Sequence, residues 1–338
     1  MDQAPAADRS RAKRDCLMKT VFVTGISGLL GTNLAIDLLE NGHKVLGLVR
    51  DKNRYKGVSH PNLELIERSL EDDLAPWLDI AEVVVHVAAE TRQTLTAYSD
   101  YLKINFVATQ HLYDSAARNA VKKFVFVSTA NTMGYGSLED PGHESKEVRF
   151  PFSDSFYARS KIEAENYVLR NESEMETIVV NPTFMLGPYD TKPSSGKIIL
   201  MGWKKRFIFY PPGGKNFVHV KDVSLGIIKA LDSGRHGERY LLAHENLSYR
   251  QFYKKLNTVA DQDAKLIAIP KPALMLLGHF GDLLRKLGIR SSLSSTNTRI
   301  LCVNNYYSNQ KSCEKLGLNY SSIDQSIRDA INYFGQEE

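Results

Sequence analysis

Short runs of β-branched and aromatic residues alternate with longer amphipathic stretches through the first part of the chain, from Lys19 to Val127. This alternation is typical of βαβ units, whose parallel strands are buried beneath helices on both faces of the sheet. The pattern predicts five such strands, at Thr20–Thr24, Lys44–Val49, Leu63–Ile66, Val83–Val87 and Lys123–Val127.

The stretches between these strands carry apolar residues at helical spacing. Leu29–Asn41 and Ala97–Ala120 are predicted helices, and Gly42 lies where a C-terminal glycine would end the first of them. A further helix is predicted over Ser155–Leu169, followed by a buried strand over Thr177–Val180. The order of elements predicts an α/β fold of the Rossmann type, with a doubly wound parallel sheet that binds ligands at the carboxyl ends of its strands.

The alternation decays after about Gly187, where short strands, several helices and a Pro-Pro-Gly-Gly turn follow. We therefore expect a smaller, mixed C-terminal region that binds substrate over the mouth of the sheet. The predicted division is an NAD(P)-binding domain over residues 19–186 and a substrate-binding region over 187–338, with segments partly interleaved. Residues 1–18 are polar and basic without an apolar core of signal-peptide length, so we expect a disordered extension there, with Met18 as a candidate natural start.

A glycine-rich turn, TGISGLLG, comes directly after the first predicted strand and before a helix. In a dinucleotide-binding turn, Gly25 permits the tight bend, Gly28 lets the backbone approach a pyrophosphate, and Gly31 allows close packing of helix on strand. The start of the helix, at Leu29 and Leu30, would face the anion. A glycine-rich turn without a ligand is the alternative, which the strand before and the helix after disfavour.

The end of the second predicted strand distinguishes the two nicotinamide cofactors, because a carboxylate there would bind the ribose 2′-hydroxyl and repel a 2′-phosphate. The expected position holds Val49, and Arg50 follows it, with Lys52 and Arg54 nearby. Since a guanidinium can bind a phosphate with two hydrogen bonds, Arg50 favours NADP(H) over NAD(H). Asp51 argues for NAD(H), and a strand end that is merely solvated is the alternative without a ligand.

Tyr157 and Lys161 are four residues apart on a predicted helix, so their side chains share one face. An adjacent ammonium stabilises a tyrosine phenolate and lowers the pKa of the phenol toward the range useful for general acid/base catalysis. Hydride transfer to or from a carbinol carbon needs such a proton partner. Thr129, at the end of the fifth strand, is the predicted hydrogen-bond partner of the substrate oxygen, with Ser128 second. Structural roles are the alternative, since hydroxyls at strand ends often bond to the backbone.

With these residues identified, the chain resembles the extended short-chain dehydrogenase/reductase superfamily from Lys19 to its C-terminus. The glycine turn is similar to the TGxxGxxG turn of that superfamily, Tyr157–Lys161 to its YxxxK pair, and Phe217–Val223 to its C-terminal hallmark. Asn181–Thr183, with Gly187-Pro188, resembles the segment after its sixth strand. The strand ends look most like the dihydroflavonol reductase and 3β-hydroxysteroid dehydrogenase branch, which oxidises or reduces alcohols and ketones on largely apolar molecules.

The resemblance implies a role for each matched residue. Tyr157 would be the general acid/base, Lys161 would lower its pKa and hold the nicotinamide ribose, and Thr129 would position the substrate oxygen. The other cofactor contacts that the resemblance implies are Ser69, Leu70, Ala88, Ala89, Asn181 and Thr183. Two departures weaken the match: Ser69-Leu70 replaces the Asp-Leu of many relatives, and the segment after Ala130 is longer than in sugar epimerases.

We therefore expect an NAD(P)-dependent oxidoreductase that interconverts a ketone or aldehyde and an alcohol on a small, largely apolar substrate. The nearest alternative is a nucleotide-sugar epimerase or dehydratase with tightly bound NAD, against which Arg50 counts. A non-enzymatic dinucleotide sensor or scaffold is the third hypothesis, and the intact Tyr157 and Lys161 disfavour it. The resemblance also implies a two-fold homodimer through the helices Ala97–Ala120 and Ser155–Leu169.

Composition narrows the choice of partners and compartment. Lysine and arginine number 43 against 39 acidic residues, and they are scattered along the chain, so no footprint for nucleic acid is present. The cysteines, Cys16, Cys302 and Cys313, lack paired spacing, which favours a reducing, cytoplasmic location. The histidines lack ligand spacing, so no metal site is predicted.

No run reaches the roughly 18 to 20 apolar residues that an integral membrane segment requires, so none is predicted. The segment Pro272–Ile289 is rich in Leu, Met and Phe with charged residues interleaved, which predicts an amphipathic core or lid helix. Contact of this segment with a membrane surface is the alternative.

Overall fold

The structure, a computed structural model, describes residues 18–119, 121–171, 173–289 and 291–337. The extension expected over residues 1–18 therefore lies outside the described residues except for Met18. The strands are β1 (Thr20–Thr24), β2 (Lys44–Val49), β3 (Leu63–Glu67), β4 (Val83–His86), β5 (Lys123–Val127), β6 (Glu176–Pro182), β7 (Phe184–Leu186), β8 (Phe207–Tyr210), β9 (Gly214–His219), β10 (Arg239–Leu242), β11 (Glu245–Ser248), β12 (Lys265–Ala268) and β13 (Asn304–Asn305).

The helices alternate with these strands in the first half and cluster in the second. They are α1 (Leu29–Glu40), α2 (Ala75–Leu78), α3 (Tyr98–Leu102), α4 (Ala108–Arg118), α5 (Phe156–Arg170), α6 (Lys197–Leu200), α7 (Val220–Ser233), α8 (Tyr249–Val259), α9 (Lys271–Lys286), α10 (Ser295–Ile300), α11 (Gln310–Leu316) and α12 (Ile323–Glu337). No helix within the described ranges is long and apolar enough to cross a membrane.

A seven-stranded parallel sheet in the order β10-β6-β5-β4-β1-β2-β3 forms the centre of the fold. Successive side chains of β1 point to opposite faces and enter two separate apolar clusters. Val21 and Val23 pack with residues of α1 and α7, whereas Phe22 packs with residues of α4 and α5. Helices thus cover both faces, and the predicted Rossmann-type fold is confirmed.

The predicted helix over residues 97–120 is interrupted. It begins at Tyr98 as α3, continues through a π-helical segment at Lys103–Val107, and resumes as α4 up to Arg118. Ala120 lies outside the described residues. Asn105, inside the π-helical segment, bonds to the main chain of Glu90 and so connects the helix to the loop that follows β4.

The later part of the chain contributes to the central sheet as well as forming its own layer. β10 pairs with β6, and α7 packs against α1. A second sheet contains β7, β9, β11 and β13, and a third pairs β8 with β12. The chain therefore returns to the central sheet at β10, after residue 187. The division between two domains at residue 186 stays a prediction.

Candidate functional site

The glycine turn after β1 has the geometry that its sequence predicts. Gly25 adopts a φ of +69°, a left-handed conformation, and a Cβ there would lie 2.7 Å from the amide nitrogen of Ala88. A Cβ on Gly31 would lie 2.1 Å from the carbonyl oxygen of Gly25. At Gly28 the nearest atom would be 3.4 Å away, so the fold itself has room for a side chain there. Packing within the protein therefore does not require glycine at this position, whereas close approach of a ligand to the backbone would.

The N-terminus of α1 can bind an anion. Gly28 precedes the helix and provides no side-chain cap, and the first amides of a helix, here those of Leu29 and Leu30, have no partner within it. The helix dipole adds a partial positive charge at the same place. A dinucleotide pyrophosphate therefore fits the turn.

A buried polar chain holds the end of β4 against the turn. Thr24 Oγ1 accepts hydrogen bonds from the amides of Val87 and Ala88, both at 3.1 Å, and contacts His86 Nδ1 at 2.7 Å. His86 Nε2 lies 2.9 Å from Thr109 Oγ1, and burial lowers the pKa of His86 to about 3, so the ring is neutral at physiological pH. This arrangement fixes the backbone that leads to Ala88 and Ala89, the predicted cofactor contacts.

The two charged residues at the end of β2 have different surroundings. Arg50 is exposed and forms no hydrogen bond or ion pair with any residue that the structure describes. Asp51, in contrast, accepts a hydrogen bond from the amide of Asn53 at 3.0 Å and lies 3.5 Å from Arg54 Nε. The carboxylate has a local partner, and the guanidinium does not.

Ser69 and Leu70 follow β3 at the same edge of the sheet. The Ser69 amide donates to Asp72 Oδ2 at 2.7 Å, and Leu70 packs against the apolar cluster beneath the sheet. Both residues are partly exposed. Their predicted contact with the adenine stays a prediction.

The three predicted catalytic residues meet where β5 ends beside α5. The Thr129 hydroxyl lies close enough to Tyr157 to lower the pKa of the phenol. Lys161, which is 1% exposed, donates from Nζ to the carbonyl of Val127 at 2.8 Å and lies 4.0 Å from the centre of the Phe126 ring. The contact of Thr129 with a substrate oxygen stays a prediction.

The pKa values of Tyr157 and Lys161 differ from the expectation. Burial raises the pKa of Tyr157 to about 12, and the neighbouring Thr129 hydroxyl opposes the increase only in part. Burial also lowers the pKa of Lys161 to about 7, against the influence of the Glu165 carboxylate. The expected lowering of the tyrosine pKa by Lys161 is not found, because removal from water dominates both groups and the ammonium bonds to a carbonyl oxygen.

Glu165, one helical turn after Lys161, is a buried residue of this site that the sequence analysis missed. Its Oε2 accepts hydrogen bonds from Ser128 Oγ at 2.6 Å and Asn181 Nδ2 at 3.1 Å, and its Oε1 accepts one from Arg239 at 3.1 Å. The available signal was its spacing: Glu165 follows Lys161 by four residues, as Lys161 follows Tyr157. Because Ser128 bonds to this carboxylate, Thr129 is better placed than Ser128 to meet a substrate.

Asn105 is a second residue that the sequence analysis missed. Fully buried, it accepts from the Glu90 amide at 2.7 Å and donates to Ser160 Oγ at 3.0 Å. Ser160 in turn donates to the carbonyl of Tyr157 at 2.8 Å. The signal in the sequence was an amide side chain in an otherwise amphipathic helix. Asn105 connects the loop after β4 to α5, the helix that carries the predicted catalytic pair.

The remaining predicted cofactor residues use their side chains inside the protein. Asn181 donates to the carbonyl of Thr129 at 3.2 Å and to Glu165, and Thr183 donates to Asn216 Oδ1 at 2.7 Å. These bonds fix the strand end that adjoins Thr129. A cofactor contact by either residue stays a prediction.

The chain is similar to known proteins along most of its length. A model of the NAD dependent epimerase/dehydratase family matches residues 21–243. The chain is 28% identical over 331 residues to a putative dihydroflavonol 4-reductase of Synechocystis sp., covering 96% of this chain and 95% of the relative. It is 29% identical over 251 residues to the decarboxylating sterol-4-alpha-carboxylate 3-dehydrogenase of Dictyostelium discoideum, covering 70% and 75% of the two chains.

Solved structures share the fold. The crystal structure of gox2253 superimposes with a TM-score of 0.82 at 29% identity, covering 94% of this chain and 98% of the other. The Bordetella bronchiseptica enzyme WbmH, crystallised with NAD+, has a TM-score of 0.72 at 20% identity, with coverage of 94% and 99%.

Proposed function

This chain belongs to the NAD dependent epimerase/dehydratase family, within the extended short-chain dehydrogenase/reductase superfamily, and from that premise we propose that it is an oxidoreductase. It interconverts a ketone or aldehyde and an alcohol on a small, largely apolar substrate. The neighbouring placement of Thr129 and Tyr157 carries this proposal, because it puts a proton donor beside a second hydroxyl at the sheet edge where ligands bind. Two relatives are named for a reductase and a dehydrogenase activity.

The residues of the chain supply binding and proton transfer for this reaction. The glycine turn and the start of α1 hold the dinucleotide, which supplies or accepts the hydride when bound. In the reductive direction Tyr157 donates its phenolic proton to the carbonyl oxygen of the substrate, and Thr129 orients that oxygen by a hydrogen bond. Lys161, held by its hydrogen bond to the Val127 carbonyl, would bind the nicotinamide ribose. Alcohol oxidation is the reverse, with the phenolate as base.

NADP(H) is the proposed cofactor within an NAD(P)-dependent family. The support is the contrast at the end of β2, where Asp51 bonds to its neighbours and the exposed Arg50 has no partner among the described residues. A free guanidinium at this point can bind the 2′-phosphate of NADP(H). The alternative function is a nucleotide-sugar epimerase or dehydratase that retains NAD, which the family name also covers.

A turnover assay separates the two functions. Purified protein is supplied with a panel of apolar ketones and aldehydes and with NADPH or NADH, and consumption of the reduced cofactor is followed. We expect net consumption, faster with NADPH, that is lost in Tyr157→Phe. Protein that purifies with bound NAD and converts nucleotide sugars without consuming added cofactor would support the epimerase or dehydratase instead.

A further inference from the structure

The helix α9 directs its large apolar side chains away from the protein. Leu276, Phe280, Leu283 and Leu287 are each more than half exposed. Their spacing of three and four residues aligns them in a single stripe along the helix and its C-terminal cap. Most amphipathic surface helices present the opposite arrangement, with the apolar stripe inward.

The inward face of α9 carries Leu274 and two glycines that fix this orientation. Gly278 and Gly281 are buried against α10 and the segment that leads into it. A Cβ on Gly278 would lie 2.2 Å from Thr298 Oγ1, and one on Gly281 would lie 2.5 Å from the carbonyl oxygen of Leu293. Because only glycine fits these contacts, the helix cannot turn its leucines and phenylalanine inward without separating from α10.

Polar contacts hold α9 beside the candidate site. The Asp282 carboxylate accepts a hydrogen bond from the Ser295 amide at 3.1 Å. Arg285 donates to the carbonyl of Ser291 at 2.8 and 3.0 Å and to the carbonyl of Gln93 at 2.6 Å. Gln93 belongs to the loop that follows β4, the same loop that contains the predicted cofactor contacts. The inward side of α9 is therefore attached to the loop that leads away from the candidate site.

One exposed lysine of α9, Lys286, flanks the stripe about a quarter turn around the helix. Lys271, at the start of α9, lies on the side of the buried glycines, near Cys302. The carboxylate of α9, Asp282, is bonded to a backbone amide. The acidic residues nearest in sequence before the helix, Asp261 and Asp263, precede β12 at the end of that strand remote from α9.

The strands β8 and β12 form a second exposed apolar surface, and β12 ends two residues before α9 begins. In the pair of strands β8 and β12, Phe207 lies opposite Lys265 and Phe209 lies opposite Ile267. The three apolar side chains of these pairs are all exposed, at 44%, 56% and 38% respectively. The surface thus repeats the combination of apolar and cationic side chains found on α9.

We propose that α9 is a membrane-docking element that lies on an anionic phospholipid surface. Its apolar stripe enters the interfacial layer while Lys286, with Lys265 of the adjacent strand pair, meets lipid phosphates. At 16 residues α9 is shorter than the roughly 20 residues that cross a bilayer, so the helix lies along the surface.

Vesicle flotation tests this proposal without requiring turnover, so its outcome is independent of the proposed function. The full chain is floated with vesicles of phosphatidylcholine alone or mixed with phosphatidylglycerol. We expect binding to the mixed vesicles, reduced roughly tenfold or more in a variant carrying Leu276→Ser and Phe280→Ser. The matched control carries Ile80→Ser and Leu138→Ser, which change two exposed apolar residues elsewhere and should leave binding intact.

A charge variant keeps the test decisive if the serine variant fails to fold. Lys265→Glu with Lys286→Glu should abolish the preference for phosphatidylglycerol. Absence of wild-type binding, or an equal loss in the Ile80/Leu138 control, would overturn the proposal. So would a wild-type oligomer that dissociates when Leu276 and Phe280 are changed, since a second copy would then cover the stripe.

Discussion

Tyr157 is the residue on which the proposed chemistry depends most directly. Tyr157→Phe removes the hydroxyl that exchanges a proton with substrate and retains the ring that packs against the site. We expect kcat to fall about 10²- to 10⁴-fold at saturating cofactor while the cofactor Kd changes little. Steady-state kinetics and isothermal titration measure the two quantities. Tyr210→Phe is the matched control, and Tyr157→Phe activity within a few fold of wild type would refute the catalytic role.

The raised pKa of Tyr157 gives the two reaction directions different pH dependences. With a pKa of about 12, the phenol is protonated throughout the neutral range, so ketone reduction has its acid available and should change little with pH from this group. Alcohol oxidation requires the phenolate, whose fraction rises about tenfold for each pH unit below the pKa. We expect the oxidation rate to rise between pH 6 and 9. Profiles of kcat in both directions check this, and a flat oxidation profile would contradict it.

Arg50 should determine the preference between the two cofactors. Loss of a charge-assisted contact costs about 1.5 to 3 kcal/mol, so Arg50→Ala should weaken NADPH binding roughly ten- to a hundredfold. NADH lacks the 2′-phosphate and should be affected much less. Isothermal titration of both cofactors measures this, with the exposed Lys52→Ala as control. Equal weakening of the two cofactors would make Arg50 structural, and a wild type that favours NADH would support the epimerase or dehydratase alternative.

At the scale of secondary-structure elements, the buried carboxylate of Glu165 connects α5 to three strand ends. Glu165→Gln places an amide donor among the donors of Ser128, Asn181 and Arg239, so we expect a loss of about 1 to 3 kcal/mol in the free energy of unfolding. The same change removes the charge that raises the pKa of Lys161, so that pKa should fall further below its ordinary value.

Two measurements separate these effects of Glu165. Denaturant unfolding reports the stability, and the pH profile of kcat reports Lys161, whose limb should move to lower pH. The exposed Glu174→Gln should change neither measurement. A stability loss with an unmoved pH profile would make Glu165 a structural residue only.

The elements show why some predictions from the sequence are correct and others are absent. β1, β2 and β5 have the predicted bounds, because strands buried on both faces need continuous apolar runs that are visible locally. β10 was not predicted, since its four residues join the sheet through pairing with β6, a contact between distant segments. Glu165 was missed for the same reason: on an amphipathic helix it resembles a solvated residue, and its partners Ser128, Asn181 and Arg239 come from distant parts of the chain.

At the scale of the whole molecule, the predicted homodimer through α4 and α5 is open to direct measurement. Partly exposed aromatic and aliphatic side chains, including Phe106, Ile162 and Tyr167, lie along this helix pair and the adjoining π-helical segment. We expect a dimer in sedimentation velocity at micromolar concentration, and the same dimer when Leu276 and Phe280 are changed to serine. A wild type that sediments only as a monomer would refute the predicted interface.

The late arrival of β10 has a consequence for how the protein is made. On the ribosome, β6 can pair with β5 as soon as both have emerged, but its other edge stays open until Arg239–Leu242 has been synthesised. An open strand edge is a template for pairing with other chains. The nascent protein therefore carries a temporary aggregation hazard next to the strand ends of its candidate site, and a messenger that ended before Arg239 would make that hazard permanent.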